Sequence, residues 1–236
     1  MMKTVVITGA NRGLGLEFVR QYVNDNATVY AICRSNHNND ELITLSRNKK
    51  IVIIIADLLD HKSIDRVALE LSNVAIDILI NNAGIFGPKA QADGDLRQSF
   101  GHMNYEKWLE ILRINTLAPY KLAEVLINNI KLGNDKKIIT LSGTAGSISE
   151  VQASVNAYRS SKCAVNIVMA SLAKELQLDR IIIGLICPGW VNTRMGGDQA
   201  PIKINESVAG MREIIDGLTI ENSGSFYRYN GDVIPW

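Results

Sequence analysis

Thr8-Gly9-Ala10-Asn11-Arg12-Gly13-Leu14-Gly15 closes the first apolar run of the chain, Lys3 to Thr8, and opens a helical pattern. Three glycines at a strand-to-helix turn let the backbone come close to a pyrophosphate. The helix N-terminus behind them adds free N–H groups and the positive end of a dipole. The spacing is G-x3-G-x-G rather than the commoner G-x-G-x-x-G. Such a turn alone is often only a tight turn, so its meaning depends on what surrounds it.

What surrounds it is strand–helix alternation. Ala27 to Cys33, Ile51 to Ala56, Asp77 to Asn81, Lys137 to Ser142 and Arg180 to Cys187 are short Ile- and Val-rich runs, several of them apolar on consecutive residues. Continuous apolar runs suit strands covered on both faces, as in parallel sheets. Between them the spacing is helical: after Asn156, Val165, Val168, Leu172 and Leu176 share one face. This pattern predicts an α/β fold, a single-domain, doubly wound parallel sheet with helices on both faces and right-handed crossovers, spanning residues 1–236. Pro88 to Ser99 is poorly periodic and reads as a surface loop. Pro188 to Asn205, with its glycines and prolines, reads as a candidate mobile lid. Ser223 to Trp236 carries Phe226, Tyr227, Tyr229 and Trp236, enough apolar surface to dock on the body.

Composition narrows the function. The 25 Lys+Arg against 24 Asp+Glu leave a formal charge of +1, which argues against a dedicated nucleic-acid or membrane-surface binder. The apolar run after Met1-Met2-Lys3 stops at Thr8-Gly9, too short for a secretory h-region, and no apolar stretch approaches the ~20 residues that span a bilayer. Cys33, Cys163 and Cys187 are scattered and form no CxxC pair, and His37, His61 and His102 are isolated. A disulfide framework and a metal site are therefore not expected, and a cytoplasmic protein is.

Two positions bear on cofactor choice. In dinucleotide folds an acid near the end of the second strand grips the ribose 2′-hydroxyl, whereas an arginine there accommodates a 2′-phosphate. Here the acid is missing and Arg34 follows Cys33, while Arg12 in the glycine turn is placed to reach the same phosphate. Both favour NADP(H) over NAD(H); the plainer alternative is that Arg34 is a solvated loop charge. Asp57, ending the third strand, accepts from an adenine amino group or caps the next helix. Tyr158 and Lys162 lie four residues apart on one helical face. A tyrosine titrates near about 10, and a neighbouring ammonium is expected to lower that value and make the phenol a proton donor matched to carbonyl reduction. Asn115 lies in a long helical pattern, about Tyr105 to Ile130, with Pro119 four residues on. The Asn115 carbonyl loses its i+4 donor there, and the helix should kink.

Taken together, Thr8-Gly9-x3-Gly13-x-Gly15, Asn81-Asn82-Ala83-Gly84, Asn115, Tyr158-x3-Lys162 and Pro188-Gly189 resemble, in order and approximate spacing, the short-chain dehydrogenase/reductase superfamily. The likeness covers essentially the whole chain. Ala157-Tyr158-Arg159-Ser160-Ser161-Lys162, Pro188-Gly189-Trp190-Val191-x-Thr193 and Ile234-Pro235-Trp236 look most like its C-factor and sniffer-type carbonyl reductase branch. The resemblance implies a Rossmann-type domain of about seven strands, an aldehyde or ketone substrate (or the corresponding alcohol), and a homodimer or homotetramer built on the helices that carry Asn115 and Tyr158. It implies Gly9, Gly13 and Gly15 around the pyrophosphate, Asn82, Ala83 and Gly84 on the adenosine side, and Asp57 at the adenine. Asn11, Leu14 and Leu58, inside or beside those motifs, join the cofactor-binding set with Arg12 and Arg34. Tyr158 would be the acid–base group and Lys162 would hold the nicotinamide ribose and lower the Tyr158 pKa. Pro188, Gly189, Val191 and Thr193 would line the nicotinamide. A water at Asn115 would link Lys162 to solvent.

The chain departs from the family at one place. The carbonyl-binding serine sits three residues before a glycine, and aligning that glycine with Gly146 puts Gly143 at the serine position. Ser142 is one residue early and Thr144 one late. Regular alternation would turn Ser142 to the opposite side, whereas a bend or bulge at the strand end would re-aim it. Ser142 is the expected replacement, with Thr144 next. The rival to an NADPH-dependent carbonyl reductase is a nucleotide-binding signalling or regulatory protein with vestigial chemistry, since the branch includes a developmental signalling protein.

Overall fold

The computed structural model describes residues 2–35, 40–47, 50–89 and 93–236; His37 and residues 90–92 of the predicted Pro88–Ser99 loop lie outside them. The elements alternate as the sequence predicts: β1 (Thr4–Thr8), α1 (Gly13–Asn24), β2 (Thr28–Cys33), α2 (Asp40–Ser46), β3 (Ile51–Ile55), α3 (His61–Glu70) and β4 (Ile78–Asn81). After a long connection come α4 (Tyr105–Leu112), a π-helical turn (Arg113–Leu117), α5 (Ala118–Leu132), β5 (Lys137–Leu141), a 3₁₀ turn (Thr144–Gly146) and α6 (Asn156–Glu175). A 3₁₀ turn (Gln177–Asp179), β6 (Ile182–Cys187), α7 (Ile204–Gly217) and β7 (Phe226–Arg228) complete the chain. The six strands expected from the sequence are all present, with ends shifted by one or two residues.

All seven strands are parallel, in the order β3-β2-β1-β4-β5-β6-β7. The strand pleat sends alternate residues to opposite faces, and each face is covered. Val6, Leu79, Ile138 and Ile183 belong to one core cluster with Ile64, Leu122, Leu126, Val165 and Met169 from α3, α5 and α6. Val5, Ile78, Ile80 and Ile139 belong to the other with Phe18, Val19 and Tyr22 of α1 and Val208 and Met211 of α7. The order reverses between β1 and β4, so the loops leaving those two strands part and open a crevice at the carboxyl edge, where α/β sheets bind ligands.

The seventh strand escapes a sequence reading because it is three residues long. Its apolar content nonetheless docks the C-terminal segment, as expected. Phe226 is buried and stacks on Trp236 with ring centroids 5.7 Å apart, and Ser147 Oγ donates to the Pro235 carbonyl at 2.5 Å.

Candidate active site

The glycine turn forms because its backbone goes where side chains cannot. Gly9 and Gly13 have φ of 64° and 53°, and a Cβ on Gly15 would fall 2.2 Å from the Gly9 carbonyl oxygen. The turn is also tied from across the crevice. Thr8 Oγ1 accepts from the backbone N–H groups of Asn82 and Ala83, both at 3.0 Å, and Asn82 Nδ2 donates to the Thr8 carbonyl at 2.8 Å. The Asn82 amide is thus engaged in holding the β1 and β4 loops together. A narrow backbone cradle that any Cβ would fill, at the N-terminus of α1, fits a dinucleotide pyrophosphate.

Tyr158 and Lys162, the expected acid–base pair, lie beside this cradle, with residues 82–84 between them. A Cβ on Gly9 would lie 3.1 Å from Ala83 Cα; one on Gly84 would lie 3.2 Å from Asn115 Oδ1 and 3.8 Å from Lys162 Nζ. Lys162 Nζ stands 5.7 Å from the centre of the Tyr158 ring and donates to the Leu141 carbonyl at 2.8 Å. The Tyr158 ring packs on Phe86 at 4.5 Å.

Electrostatics differ here from expectation. Burial pushes the Tyr158 phenol well above the ordinary tyrosine value, with Cys187 adding in the same direction, so Lys162 does not acidify it in the protein alone. Burial also lowers Lys162, to about 8. The phenol therefore stays protonated through neutral pH, the state a proton donor needs. The buried lysine has a signature in stability. Its folded pKa lies below its unfolded one, so the folded protein binds fewer protons between about pH 8 and 10.5 and gains stability as pH rises through that window. Urea unfolding of the free protein should show the wild type gaining on Lys162→Met from pH 8 to 10, and a constant difference would contradict the buried ammonium.

Asn115 sits at the break in its helix. The sequence predicts a kink; the structure resolves it as the π turn, in which the Ala118 N–H reaches the Arg113 carbonyl. Pro119 offers no donor to the Asn115 carbonyl, which explains the widened turn. The Asn115 side chain is fully engaged: Oδ1 accepts from the Ile85 N–H, and Nδ2 donates to the Ile85 carbonyl and to Ser161 Oγ, each at 2.9 Å. It clamps the β4 loop against α6.

Ser142 does not face the phenol. Gly143 has φ −170° and ψ 158°, so the chain stays extended and alternation holds. The Ser142 hydroxyl is buried and donates to Asn166 Oδ1 at 2.6 Å. The side chain that would approach Tyr158 belongs to position 143, where a Cβ would lie 3.7 Å from the Tyr158 hydroxyl. The expected replacement by Ser142 is therefore corrected: the position facing the phenol bears no side chain. Thr144 enters the 3₁₀ turn that follows.

The remaining expectations divide. Arg12 occupies the N-cap position of α1 without a side-chain capping bond and, like Arg34, is exposed. Asp57 does not cap α3; Asp60 does, accepting from Lys62 N at 3.0 Å, while Asp57 Oδ1 closes a local turn with Leu59 N. Leu58 sends its side chain into the core. Asn11 and Leu14 are half-buried in the glycine turn. In the segment after β6, Pro188 accepts from Ser207 Oγ, Val191 is buried and bridges to Ile202, and Gly189 adopts φ 80°. Thr193 Cγ2 lies 3.7 Å from where a Cβ on Gly13 would stand, so this segment crosses to the glycine turn. Trp190 is exposed and ties the segment to itself through Nε1 and the Gly196 carbonyl.

Gln98 is a residue that sequence reasoning missed. It is buried; its Oε1 accepts from the Tyr158 N–H at 3.0 Å, and its Nε2 donates to the Phe86 and Pro88 carbonyls at 2.8 and 2.7 Å. It caps the first turn of α6 and fixes the phenol's neighbour Phe86. A glutamine in an aperiodic loop carries no local signal of this.

Comparison with known proteins places these features in a wider set. A family model described as short chain dehydrogenase matches residues 3–202. The C-signal protein of Myxococcus xanthus is 33% identical over 162 residues, 68% of this chain and 93% of that protein. NADPH-bound carbonyl reductase from chicken fatty liver is 29% identical with a TM-score of 0.90, covering 100% of this chain and 99% of that one. Drosophila melanogaster carbonyl reductase Sniffer gives the same identity and TM-score over 100% of both chains. A Pseudomonas aeruginosa carbonyl reductase in complex with NADP is 27% identical at a TM-score of 0.81, again over both whole chains.

Proposed function

The chain belongs to the short-chain dehydrogenase family, and from that premise we propose that it is an NADPH-dependent carbonyl reductase, converting an aldehyde or ketone to an alcohol with Tyr158 as proton donor. The observation that carries this is the pairing of half-buried Tyr158 with the buried Lys162 ammonium, joined to the glycine cradle through residues 82–84. The NADPH and NADP held by the chicken and Pseudomonas relatives support the cofactor, as do Arg12 and Arg34 and the missing acid after β2.

When bound, NADPH supplies the hydride. Gly9, Gly13 and Gly15 hold its pyrophosphate, with Asn11 and Leu14 in the same turn. Arg34 and Arg12 meet the 2′-phosphate, Asp57 the adenine, and Pro188, Gly189, Val191 and Thr193 the nicotinamide. Tyr158, kept neutral by burial, gives its proton to the substrate oxygen. Lys162 positions the ribose and opposes the charge left on the phenolate. The Asn115 carbonyl, deprived of an i+4 donor by Pro119, takes a water that returns a proton through Lys162. NADPH consumption with a panel of small aldehydes and ketones tests the reading; tight NADP(H) binding with no turnover on any of them would favour a regulatory role instead.

Tyr105, Leu109, Leu117 and Ile167 stay exposed on the helices that carry Asn115 and Tyr158. These apolar side chains support at least a dimer through those helices, and light scattering at micromolar concentration should return no less than twice the monomer mass. Among the described residues no helix is long and apolar enough to cross a membrane. Cys33, Cys163 and Cys187 form no disulfide among the described residues, which suits a reducing compartment such as the cytoplasm.

A further inference from the structure

Three arginines from three parts of the chain lie in or next to segments that meet at the glycine turn. Arg12 belongs to the turn itself, Arg34 follows β2, and Arg194 comes from the segment after β6. Partial desolvation, and after it the positive charges of Arg194 and then Arg34, hold the Arg12 guanidinium below its ordinary value, so both charges lie within electrostatic reach of it. Among the described residues none of the three pairs with a carboxylate: the ion pairs of the protein involve other cations. Like charges gathered without a counter-charge are unfavourable, and a bound polyanion would relieve the repulsion.

Arg194 is held in place by a built turn. The Thr193 carbonyl accepts from the Gly197 N–H at 2.8 Å and Thr193 Oγ1 from the Gly196 N–H at 3.1 Å. Next to it, the Met195 carbonyl receives Lys89 Nζ at 2.5 Å, which ties the segment to the loop after β4. Thr193 Cγ2, 3.7 Å from where a Cβ on Gly13 would stand, brings this turn beside the pyrophosphate cradle, whereas Arg34 follows β2, where the 2′-phosphate is expected.

We propose that Arg194 is a third phosphate-binding residue, which acts on the cofactor's pyrophosphate from the β6 side and so fastens the Pro188–Asn205 segment over the bound nucleotide. The proposal rests on the NADPH reading above. It divides the arginines by the group they serve. Arg34 distinguishes NADP from NAD, because only NADP carries the 2′-phosphate. Arg194 serves both dinucleotides alike, because both carry the pyrophosphate. A guanidinium presents a planar fork suited to phosphate oxygens, so lysine is an incomplete substitute.

Titration of the whole protein with NADP+ and with NAD+, followed by calorimetry, tests this. Arg194→Gln should weaken both dinucleotides by a similar factor, about 5- to 30-fold, with Arg194→Lys falling between it and the wild type. Arg34→Gln should weaken NADP+ only. Arg194 is exposed, so the melting temperature of free Arg194→Gln should equal that of the wild type, while the rise on adding NADP+ shrinks. Unchanged affinities in Arg194→Gln would overturn the proposal. A loss confined to NADP+ would overturn the pyrophosphate assignment by moving Arg194 to the 2′-phosphate. Wild-type protein that binds neither dinucleotide would overturn the NADPH reading itself, a failure seen before any variant is made.

Discussion

Tyr158→Phe is expected to lower kcat for carbonyl reduction by about 10²–10⁴-fold while leaving the affinity for NADP+ close to that of the wild type. The magnitude follows from how little else at the site can give a proton. Position 143 has no side chain, and the Ser142 hydroxyl is spent on Asn166. Removing the phenol oxygen takes away the donor but leaves the ring, whose packing on Phe86 and backbone bond to Gln98 hold the first turn of α6 in place. The loss should therefore appear in kcat, with folding intact by circular dichroism. Steady-state kinetics on any carbonyl that the wild type reduces would decide it, and turnover equal to the wild type would refute Tyr158 as the acid.

A gain is expected one strand away. Gly143→Ser should raise kcat by about 10- to 10²-fold, somewhat less than the loss usually seen when one donor to a developing oxyanion is removed. The backbone already suits a side chain, since φ of −170° is ordinary extended geometry. A Cβ there meets the Tyr158 hydroxyl at 3.7 Å and the Ala145 nitrogen at 3.9 Å, both ordinary contacts. The new hydroxyl would stand beside the phenol and share the substrate oxygen with it. Losing a flexible glycine from the unfolded chain should leave stability equal or slightly higher. Ser142→Ala makes the contrast: it strips Asn166 of a buried partner, costs about 1–3 kcal/mol in urea unfolding, and leaves kcat nearly untouched. If Ser142→Ala instead abolished turnover and Gly143→Ser left it unchanged, the placement of these two positions would be wrong.

The fold was legible because parallel strands buried on both faces are written as continuous apolar runs, and because Gly9, Gly13 and Gly15 stand where the first strand meets its helix. β7 was not legible: Phe226, Tyr227 and Arg228 make too short a run to show a period. At the site, the family resemblance put Gly143 at the serine position and alternation turned Ser142 away from it; choosing Ser142 required a bulge that the extended backbone at Gly143 does not make. The direction of the Tyr158 shift was misjudged because sequence spacing reveals a neighbouring amine but not the loss of water around both groups. Gln98 and the Thr8 hydroxyl act through contacts 60 and 74 residues away along the chain, which no local pattern encodes. The same holds for Arg194, whose charge comes within reach of Arg12 only once the segment after β6 is folded beside the glycine turn.

The π turn at Arg113–Leu117 has a consequence for anyone who would rebuild this protein. Helices α4 and α5 look on paper like one continuous rod, and a designer would be tempted to regularise it, or to graft the Tyr105–Leu132 stretch onto an idealised scaffold. The wide turn holds one more residue than α-helical winding would. Deleting a residue there to restore uniform winding would swing everything on one side by about 100°. Asn115 would leave Ile85 and Ser161, and an apparent tidying of the backbone would unclasp α6 from the loop that frames it.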